Sequence, residues 1–211
     1  DKLDRASAVA AVARIAAAVS VPVTADIEGG FGANAAEVVQ TVLDVLHAGA
    51  VGINIEDGSL APEEFAARLS AIREAAREAG LDLFINARTD VFLGGDGSEQ
   101  EQVVESLRRA QLYVAAGADG IFVPGVSSED AIRALAEGSP VPLNIMVWPG
   151  ALSVGELGAL GVARVSLGSG TAQAAYAVAQ RAAVELATTG TYDSVAGALD
   201  YSTVNALFAP R

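Results

Sequence analysis

Polar side chains that could do chemistry follow several short apolar segments of the chain. The segments, with the polar residues that end them, are TADIEGG (24–30), NIEDG (54–58), INARTD (85–90) and FVPG (122–125). Asp26 and Glu28 end the first, Glu56 and Asp57 end the second, and Arg88 lies in the third. Acids that can hold a divalent cation would then lie beside a cation that can hold a carboxylate. This combination indicates a site for a small anionic substrate.

The first pair of acids fits a metal site. Asp26 and Glu28 are two residues apart on a segment that is predicted to be a strand, so both side chains should point to one face. Two like charges this close repel each other unless a cation lies between them, and hard oxygen ligands suit Mg²⁺ or Mn²⁺. The alternatives are two solvated surface acids here and an ordinary loop pair at Glu56 and Asp57.

Arg88 follows the apolar run LFINA, where an unpaired cation would be costly. We therefore expect it to be paired. Its partner is either the carboxylate of a substrate or, in a structural bridge, the carboxylate of Glu56 or Asp90, and both roles can hold together.

Composition excludes several classes of protein. The 211 residues include no cysteine, which excludes disulfides, thiolate metal sites and a cysteine nucleophile. The net charge is −13 and the 13 basic residues are spread singly, so we expect no nucleic-acid partner. No apolar run reaches the roughly eighteen residues of a membrane span, and no signal peptide is visible, so we expect no membrane partner and a cytoplasmic location.

The elements that would position these side chains alternate along the chain. Strands are predicted at 21–28, 51–56, 81–88, 120–124, 142–147 and 163–168. Helices are predicted at 6–19, 35–46, 62–79, 98–116, 127–137, 153–160 and 170–188. Short βαβ connections of this kind make the strands parallel. We expect a βα-barrel domain over 1–189 and a C-terminal helical arm over 190–211.

Six parallel strands do not close a standard barrel of eight. An open doubly wound sheet is the alternative, but no GxGxxG turn follows an early strand. The chain begins with a helical segment that has no strand before it. We therefore expect an α/β fold of the parallel (β/α)8 TIM type that is N-terminally incomplete in this chain, with catalytic side chains at the carboxyl ends of its strands.

Five motifs, in this order, resemble the isocitrate lyase/phosphoenolpyruvate mutase superfamily. They are TADIEGGFG (24–32), NIEDG (54–58), NARTD (86–90), VPG (123–125) and NIM (144–146). Together they are far more specific than any one alone, and the resemblance spans roughly residues 6–190.

The resemblance implies roles for individual residues. Asp26, Glu28 and Glu56 would hold Mg²⁺, or Mn²⁺, in part through water, and the metal would bind the 2-oxo-carboxylate or enolate part of the substrate. Arg88 would grip a carboxylate, and Asn144 would match a substrate-binding asparagine on a later strand. Glu56 and Arg88 would be the catalytic residues.

The chain departs from the family in one loop. Lyases of the family carry Lys-x-Cys-Gly-His soon after the strand that ends at Glu56, and mutases carry a lysine and an asparagine there. This chain has EDGSLAPEEF over 56–65 instead.

The resemblance implies a Mg²⁺-dependent enzyme acting on a 2-oxo acid or enolate, either a carbon–carbon lyase or an enzyme similar to phosphonomutases. The alternatives are a non-catalytic or vestigial barrel that retains the metal and carboxylate site, and a pyruvate-type aldolase. The partners would be a small-molecule carboxylate and, as a homo-oligomer, further copies of the chain in a dimer or tetramer.

Overall fold

The computed structural model describes residues 3–208 and contains one parallel sheet of six strands. The strands are β1 (Thr24–Asp26), β2 (Gly52–Glu56), β3 (Phe84–Arg88), β4 (Gly120–Val123), β5 (Leu143–Met146) and β6 (Arg164–Ser166). They lie side by side in chain order, and every neighbouring pair is parallel. Because the order never reverses, the doubly wound alternative is excluded.

The sheet curls. The guanidinium of Arg164 on β6 donates a hydrogen bond from Nη2 to the Thr24 hydroxyl on β1, at 3.3 Å, although these strands lie at opposite ends of the strand order. The result is a half-barrel that is consistent with an incomplete TIM-type barrel. Closure by eight βα units is not seen within residues 3–208 and stays a prediction.

Helices follow the strands in the predicted order. They are α1 (Arg5–Ala18), α2 (Ala35–His47), α3 (Pro62–Glu78), α4 (Val91–Gly94), α5 (Glu99–Ala115), α6 (Glu129–Gly138), α7 (Val154–Ala159), α8 (Gly170–Thr188) and α9 (Tyr201–Ala206), with a 3₁₀ turn at Asp193–Val195. All seven helices predicted by position are confirmed, whereas the sequence does not predict α4, a single turn directly after β3.

Capping side chains, or a proline in the first turn, mark the start of several of these helices. Asn34 caps α2 by accepting from the Glu37 backbone N–H at 3.1 Å, and Ser98 and Glu101 form a reciprocal capping box at α5. Pro62 lies in the first turn of α3, where its missing N–H has no cost. The chain therefore leaves the ends of β1, β2 and β3 through short, well-defined turns.

Alternate residues of the strands face opposite sides of the sheet. One side packs against helices and is apolar, with side chains Ala25, Ile27, Ile53, Ile55, Ile85, Ala87, Ile121, Val123, Leu143 and Ile145 in the core. The other side, here called the inner face, carries the polar side chains Asp26, Asn54, Glu56, Asn86, Arg88, Asn144 and Ser166. This division gathers most of the candidate site residues on one surface.

Contacts divide the chain into two compact units, Asp1–Ser166 and Leu167–Arg211. The first unit holds the sheet and α1 to α7. In the second, the carboxylate of Glu185 on α8 accepts from the backbone N–H groups of Asp193 and Ser194, both at 2.7 Å. Helix α8 thus groups with the segment after it, although the sequence places it in the 1–189 domain, and a separate domain over 190–211 stays a prediction.

Between Leu3 and Phe208, no helix is both long enough and apolar enough to cross a membrane.

Candidate functional site

Glu56 and Arg88 meet at the carboxyl ends of two adjacent strands. They are register partners on β2 and β3, and Arg88 Nη1 lies 2.7 Å from Glu56 Oε2. About a fifth to a quarter of each side chain is exposed, 22% for Arg88 and 24% for Glu56. The pair is therefore partly desolvated, yet a ligand can reach it.

Arg88 has a second acidic partner. Its Nε and Nη2 donate to the two carboxylate oxygens of Asp90, at 2.6 and 3.2 Å. The predicted structural bridge is confirmed with both acids that the sequence offered. Each terminal nitrogen of the guanidinium carries two N–H groups, so Nη1 and Nη2 can still donate to a carboxylate from a ligand.

The charges around Arg88 change its pKa. Burial acts to lower the pKa of Arg88, but the hydrogen bonds to Asp90 and the charges of Asp90, Glu56 and Asp26 outweigh burial and raise it. The guanidinium therefore stays charged at every physiological pH.

Glu56 lies among more negative than positive charge. Burial raises the pKa of Glu56, and nearby Asp90, Asp26 and Glu28 raise it further, whereas only Arg88 opposes them. A cation at this end of the sheet would relieve that repulsion. The electrostatics of the site thus fit the metal that the sequence predicts.

The first pair of acids departs from the predicted arrangement. Strand β1 ends at Asp26, and Glu28 lies in a turn with a left-handed backbone (φ 49°), so strand alternation does not set the direction of its side chain. Asp26 Oδ1 accepts from the backbone N–H of Glu28 at 3.0 Å. The expectation that both side chains point to one face because both lie on a strand is therefore wrong at Glu28.

The acids are near one another but do not form a closed ligand set. Within residues 3–208, no three His, Cys, Asp or Glu side chains converge closely enough to enclose a metal ion. Carboxylate oxygens are the donors that Mg²⁺ and Mn²⁺ prefer, and water can complete a partly formed set. Donor type and charge fit, and the assignment of Asp26, Glu28 and Glu56 as ligands stays a prediction.

Asp57 is a buried carboxylate that supports the site through three hydrogen bonds. It is 1% exposed, and its carboxylate accepts from Asp90 N–H (3.0 Å), Arg109 Nη1 (2.8 Å) and the Tyr113 hydroxyl (2.6 Å). Burial and the hydrogen bond to Asp57 raise the pKa of Tyr113. Asp57 thus connects α5 to the segment that holds Arg88, and the hypothesis of an ordinary loop pair does not describe it.

Arg109 and Tyr113 are site-supporting residues that sequence reasoning did not assign to this role. They lie four residues apart on α5, so they share a helical face. Tyr113 is fully buried, and its ring packs edge-on against Phe65 with ring centres 4.8 Å apart. An arginine and a tyrosine at this spacing on a mostly apolar face are the only signal that could have pointed to a buried acid.

Asn144 lies on the inner face of β5 and is 1% exposed. Its Oδ1 accepts from the Ser166 hydroxyl at 3.1 Å, while its Nδ2 has no partner among the described residues. An unpaired buried donor costs about 1–3 kcal/mol. That donor is compatible with the predicted contact to a substrate, and this role stays a prediction.

A cleft of about 380 Å³ opens between the turn after β1 and the turn after β2. Glu28 and Phe31 line it from the first turn, and Glu56 and Leu60 from the second, with Arg68 of α3 also in its wall. Glu28 and Glu56, but not Asp26, therefore border a space large enough for a small organic acid.

The sequence profile of the phosphoenolpyruvate phosphomutase family matches residues 1–187. The chain belongs to this family. Solved structures agree: a Burkholderia cenocepacia J2315 protein described as a lyase/mutase superposes with a TM-score of 0.87 at 33% identity, over 100% of this chain and 77% of that one.

Curated relatives of this family member include proteins of two other bacteria. An uncharacterized protein of Mycobacterium tuberculosis H37Rv is 37% identical over 151 residues, which are 70% of this chain and 54% of that protein. An oxaloacetate decarboxylase of Bradyrhizobium sp. ORS 278 is 30% identical over 186 residues, which are 86% of this chain and 60% of that protein. The chain thus spans about half the length of the curated relatives it matches.

Proposed function

We propose that the chain carries the active site of a Mg²⁺-dependent enzyme that breaks a carbon–carbon bond in a 2-oxo acid and passes through its enolate. One observation carries the proposal. Arg88 is fixed between Glu56 and Asp90 at a strand end where acids outnumber bases. An anion receptor beside a place that favours a cation suits a substrate that presents a carboxylate next to a 2-oxo group.

Arg88 would bind the substrate carboxylate. Its free N–H groups can form charge-assisted hydrogen bonds, and Asp90 already holds its plane through two contacts of 2.6 and 3.2 Å. Because the guanidinium is held in place before the ligand arrives, little conformational entropy is lost on binding.

Asp26, Glu28 and Glu56 would hold the metal, in part through water. A divalent cation bound there supplies Lewis-acid stabilisation of the negative charge that develops on the 2-oxo oxygen. Glu56 would also hold Arg88 beside the metal, because Glu56 Oε2 and Arg88 Nη1 lie 2.7 Å apart.

The loop after β2 favours decarboxylation over the reactions of family members that carry Lys-x-Cys-Gly-His, or a lysine and an asparagine, in this loop. Leu60 N–H donates to the Asp57 carbonyl at 2.9 Å and α3 begins at Pro62, so the turn is tight and carries no cysteine, lysine or histidine. When CO₂ leaves oxaloacetate, the electron pair of the broken bond remains in the enolate of pyruvate, and water can supply the proton that completes the product. This reaction needs no side-chain acid in the loop.

Similar proteins support this class of reaction. They include oxaloacetate decarboxylases, one of Pseudomonas entomophila being 37% identical over 146 residues. A 2,3-dimethylmalate lyase matches with a TM-score of 0.80 at 25% identity. A phosphoenolpyruvate phosphomutase of Streptomyces platensis also matches, at 25% identity, but the mutase lysine and asparagine are missing from residues 56–65, so a phosphonomutase is the weaker assignment.

The proposal is tested by following pyruvate formation from oxaloacetate with and without Mg²⁺, after the spontaneous rate in the same buffer is subtracted. We expect turnover that needs the metal and falls at least about tenfold in Arg88→Gln, since a charge-assisted contact is worth about 1.5–3 kcal/mol. The matched control is Arg77→Gln, because Arg77 is exposed and pairs only with Glu74 in the described part of the chain. Turnover that is equal in all three proteins would refute the assignment.

A non-catalytic barrel that keeps the ligand site is the second candidate. The acids, which form no closed ligand set within residues 3–208, favour it. The turn after β2, which carries no cysteine, lysine or histidine, is compatible with both candidates. Mg²⁺-dependent stabilisation by oxaloacetate or pyruvate with no product formed would support this candidate instead.

A further inference from the structure

Arg68 is a nearly buried cation with little to neutralise it. Its side chain on α3 is 12% exposed, and its one ion-pair partner in the described chain is Glu64, with Nη2 and Oε1 3.1 Å apart. Glu64 is 56% exposed and lies one helical turn away. A pair of this kind contributes little, whereas the desolvation of a guanidinium is costly unless a strong partner offsets it.

The unpaired nitrogens of Arg68 remain accessible. In residues 3–208 its Nε and Nη1 have no hydrogen-bond partner, and neither is sealed away from solvent. Arg68 lines the 380 Å³ cleft described above, whose wall also includes Glu28 and Glu56. The guanidinium therefore offers free N–H groups to the same space that two of the candidate metal ligands, Glu28 and Glu56, border.

The other arginines of α3 differ from Arg68. Arg73 donates to the carbonyls of Leu83 and Gly117 and to the Asp119 carboxylate, so its N–H groups hold the protein together. Arg77 is exposed and pairs with Glu74. Within α3, only Arg68 combines near-complete burial, free donors and a place in the wall of this cleft.

We propose that Arg68 is a specificity residue that binds a second carboxylate of the substrate, the one farther from the 2-oxo group. This inference rests on the proposed function and deepens it. Arg88 forms an ion pair with Glu56, which lines the cleft, and binds the carboxylate next to the 2-oxo group. Arg68 binds the carboxylate at the other end of the substrate. The site then selects 2-oxo dicarboxylates over monocarboxylates because a monocarboxylate leaves Arg68 without its partner.

The test uses two unreactive ligands that differ by one carboxylate, L-malate and L-lactate, titrated calorimetrically in the presence of Mg²⁺. We expect wild type to prefer malate. Arg68→Gln should weaken malate roughly ten- to a hundredfold, the loss of one charge-assisted contact, and leave lactate within about twofold. Arg68→Lys should recover part of the malate affinity, because it restores the charge without the fork of donors.

Two further variants sharpen the test. Glu64→Gln removes the competing exposed acid, so it should tighten malate by about twofold, the value of an exposed i,i+4 pair. Arg77→Gln is the matched control on the same helix and should change neither ligand. Should Arg68→Gln fail to fold, the Lys and Glu64 variants still decide the question.

The outcomes separate the two proposals. If wild type binds neither acid with Mg²⁺, the proposed function and this inference both fail. If wild type binds malate and lactate equally, or if Arg68→Gln weakens both alike, only the inference is overturned. If phosphonopyruvate binds tighter than malate and depends more strongly on Arg68, the far group is a phosphonate and the carboxylate assignment is wrong.

Discussion

Asp57 accepts a hydrogen bond from the backbone N–H of Asp90, with Oδ1 and N 3.0 Å apart. Asp90 in turn holds Arg88 through two contacts. A fully buried carboxylate thus fixes the backbone of Asp90, which orients the partly buried guanidinium of Arg88. The position of Arg88 therefore depends on the packing of α5, which carries the other partners of Asp57.

Removal of Asp57 should destabilise the protein strongly. Asp57→Ala leaves the Tyr113 hydroxyl without its partner in a buried environment and takes one carboxylate from Arg109. We expect a loss of about 3–5 kcal/mol in the free energy of unfolding, measured by urea denaturation. Asp57→Asn should lose less because an oxygen remains to accept, and the exposed Asp96→Asn should change little. Equal stability of Asp57→Ala and wild type would contradict the buried network.

Arg88→Lys should lower both ligand affinity and stability. Lysine cannot reproduce two parallel hydrogen bonds to Asp90 while it also reaches Glu56. We expect the Mg²⁺-dependent affinity for L-lactate to fall roughly ten- to a hundredfold, with a lower melting temperature. Calorimetry and a thermal melt on one preparation give both values. Unchanged affinity with lowered stability would leave Arg88 only its structural role.

Glu56 makes stability depend on pH in a defined direction. Burial and three neighbouring acids raise its pKa above the ordinary value of 4.5, so the folded protein binds a proton more tightly than the unfolded chain. Stability from this group is therefore present at low pH and is lost as pH rises from about 4.5 through the folded pKa. In metal-free protein, the unfolding free energy of wild type relative to Glu56→Gln should fall across that window. A difference that is flat or rises with pH would show that Arg88 dominates instead.

Glu28 has a strained backbone conformation, which we expect to be retained because its carboxylate binds the metal. Its φ of 49° disfavours a residue with a Cβ, whereas glycine adopts it freely. We expect Glu28→Gly to be more stable than Glu28→Gln by about 1 kcal/mol, while both lose Mg²⁺ affinity because both lose the carboxylate. Denaturation and Mg²⁺ calorimetry measure the two effects. Full Mg²⁺ affinity in both variants would remove Glu28 from the ligand set.

We also expect the protein to self-associate as a dimer or tetramer. In the unit Leu167–Arg211, large apolar side chains are exposed, among them Tyr176, Leu186, Tyr201, Leu207 and Phe208. Exposed apolar area of this kind usually marks an interface. Sedimentation at micromolar concentration should show the oligomer, and Leu186→Glu should shift it toward monomer. A stable wild-type monomer would overturn the expectation.

Features that depend on short-range patterns were predictable from the sequence. Each of the six strands lies within an apolar run of the sequence. The short helical connections between these runs predict that the strands are parallel neighbours. The pairing of Arg88 with Glu56 and Asp90 was also predictable, because a cation after an apolar run needs a partner and these acids lie nearest.

Features that depend on distant contacts or on backbone geometry were not predictable. Asp57 stands beside Glu56 in the chain, but its partners Arg109 and Tyr113 lie 52 and 56 residues away, so only the packing of α5 reveals that it is buried. At Glu28 the sequence continues the alternation of β1, but the backbone turns left-handed there. The sequence around Arg68 is that of an ordinary amphipathic helix, and only the structure shows that Arg68 lines a cleft.

The division of each strand into a helix-packing side and an inner side has a consequence for how this protein could change over generations. Substitutions at Asn54, Asn86 or Asn144 alter what the inner side offers to a ligand, while the neighbours Ile53, Ile85 and Ile145 continue to hold the helices. Selection can therefore rewrite the chemistry of the sheet one position at a time without dismantling its scaffold. New substrates are accessible to this sheet by point mutation, whereas a single-residue deletion within a strand would exchange the two sides and destroy both.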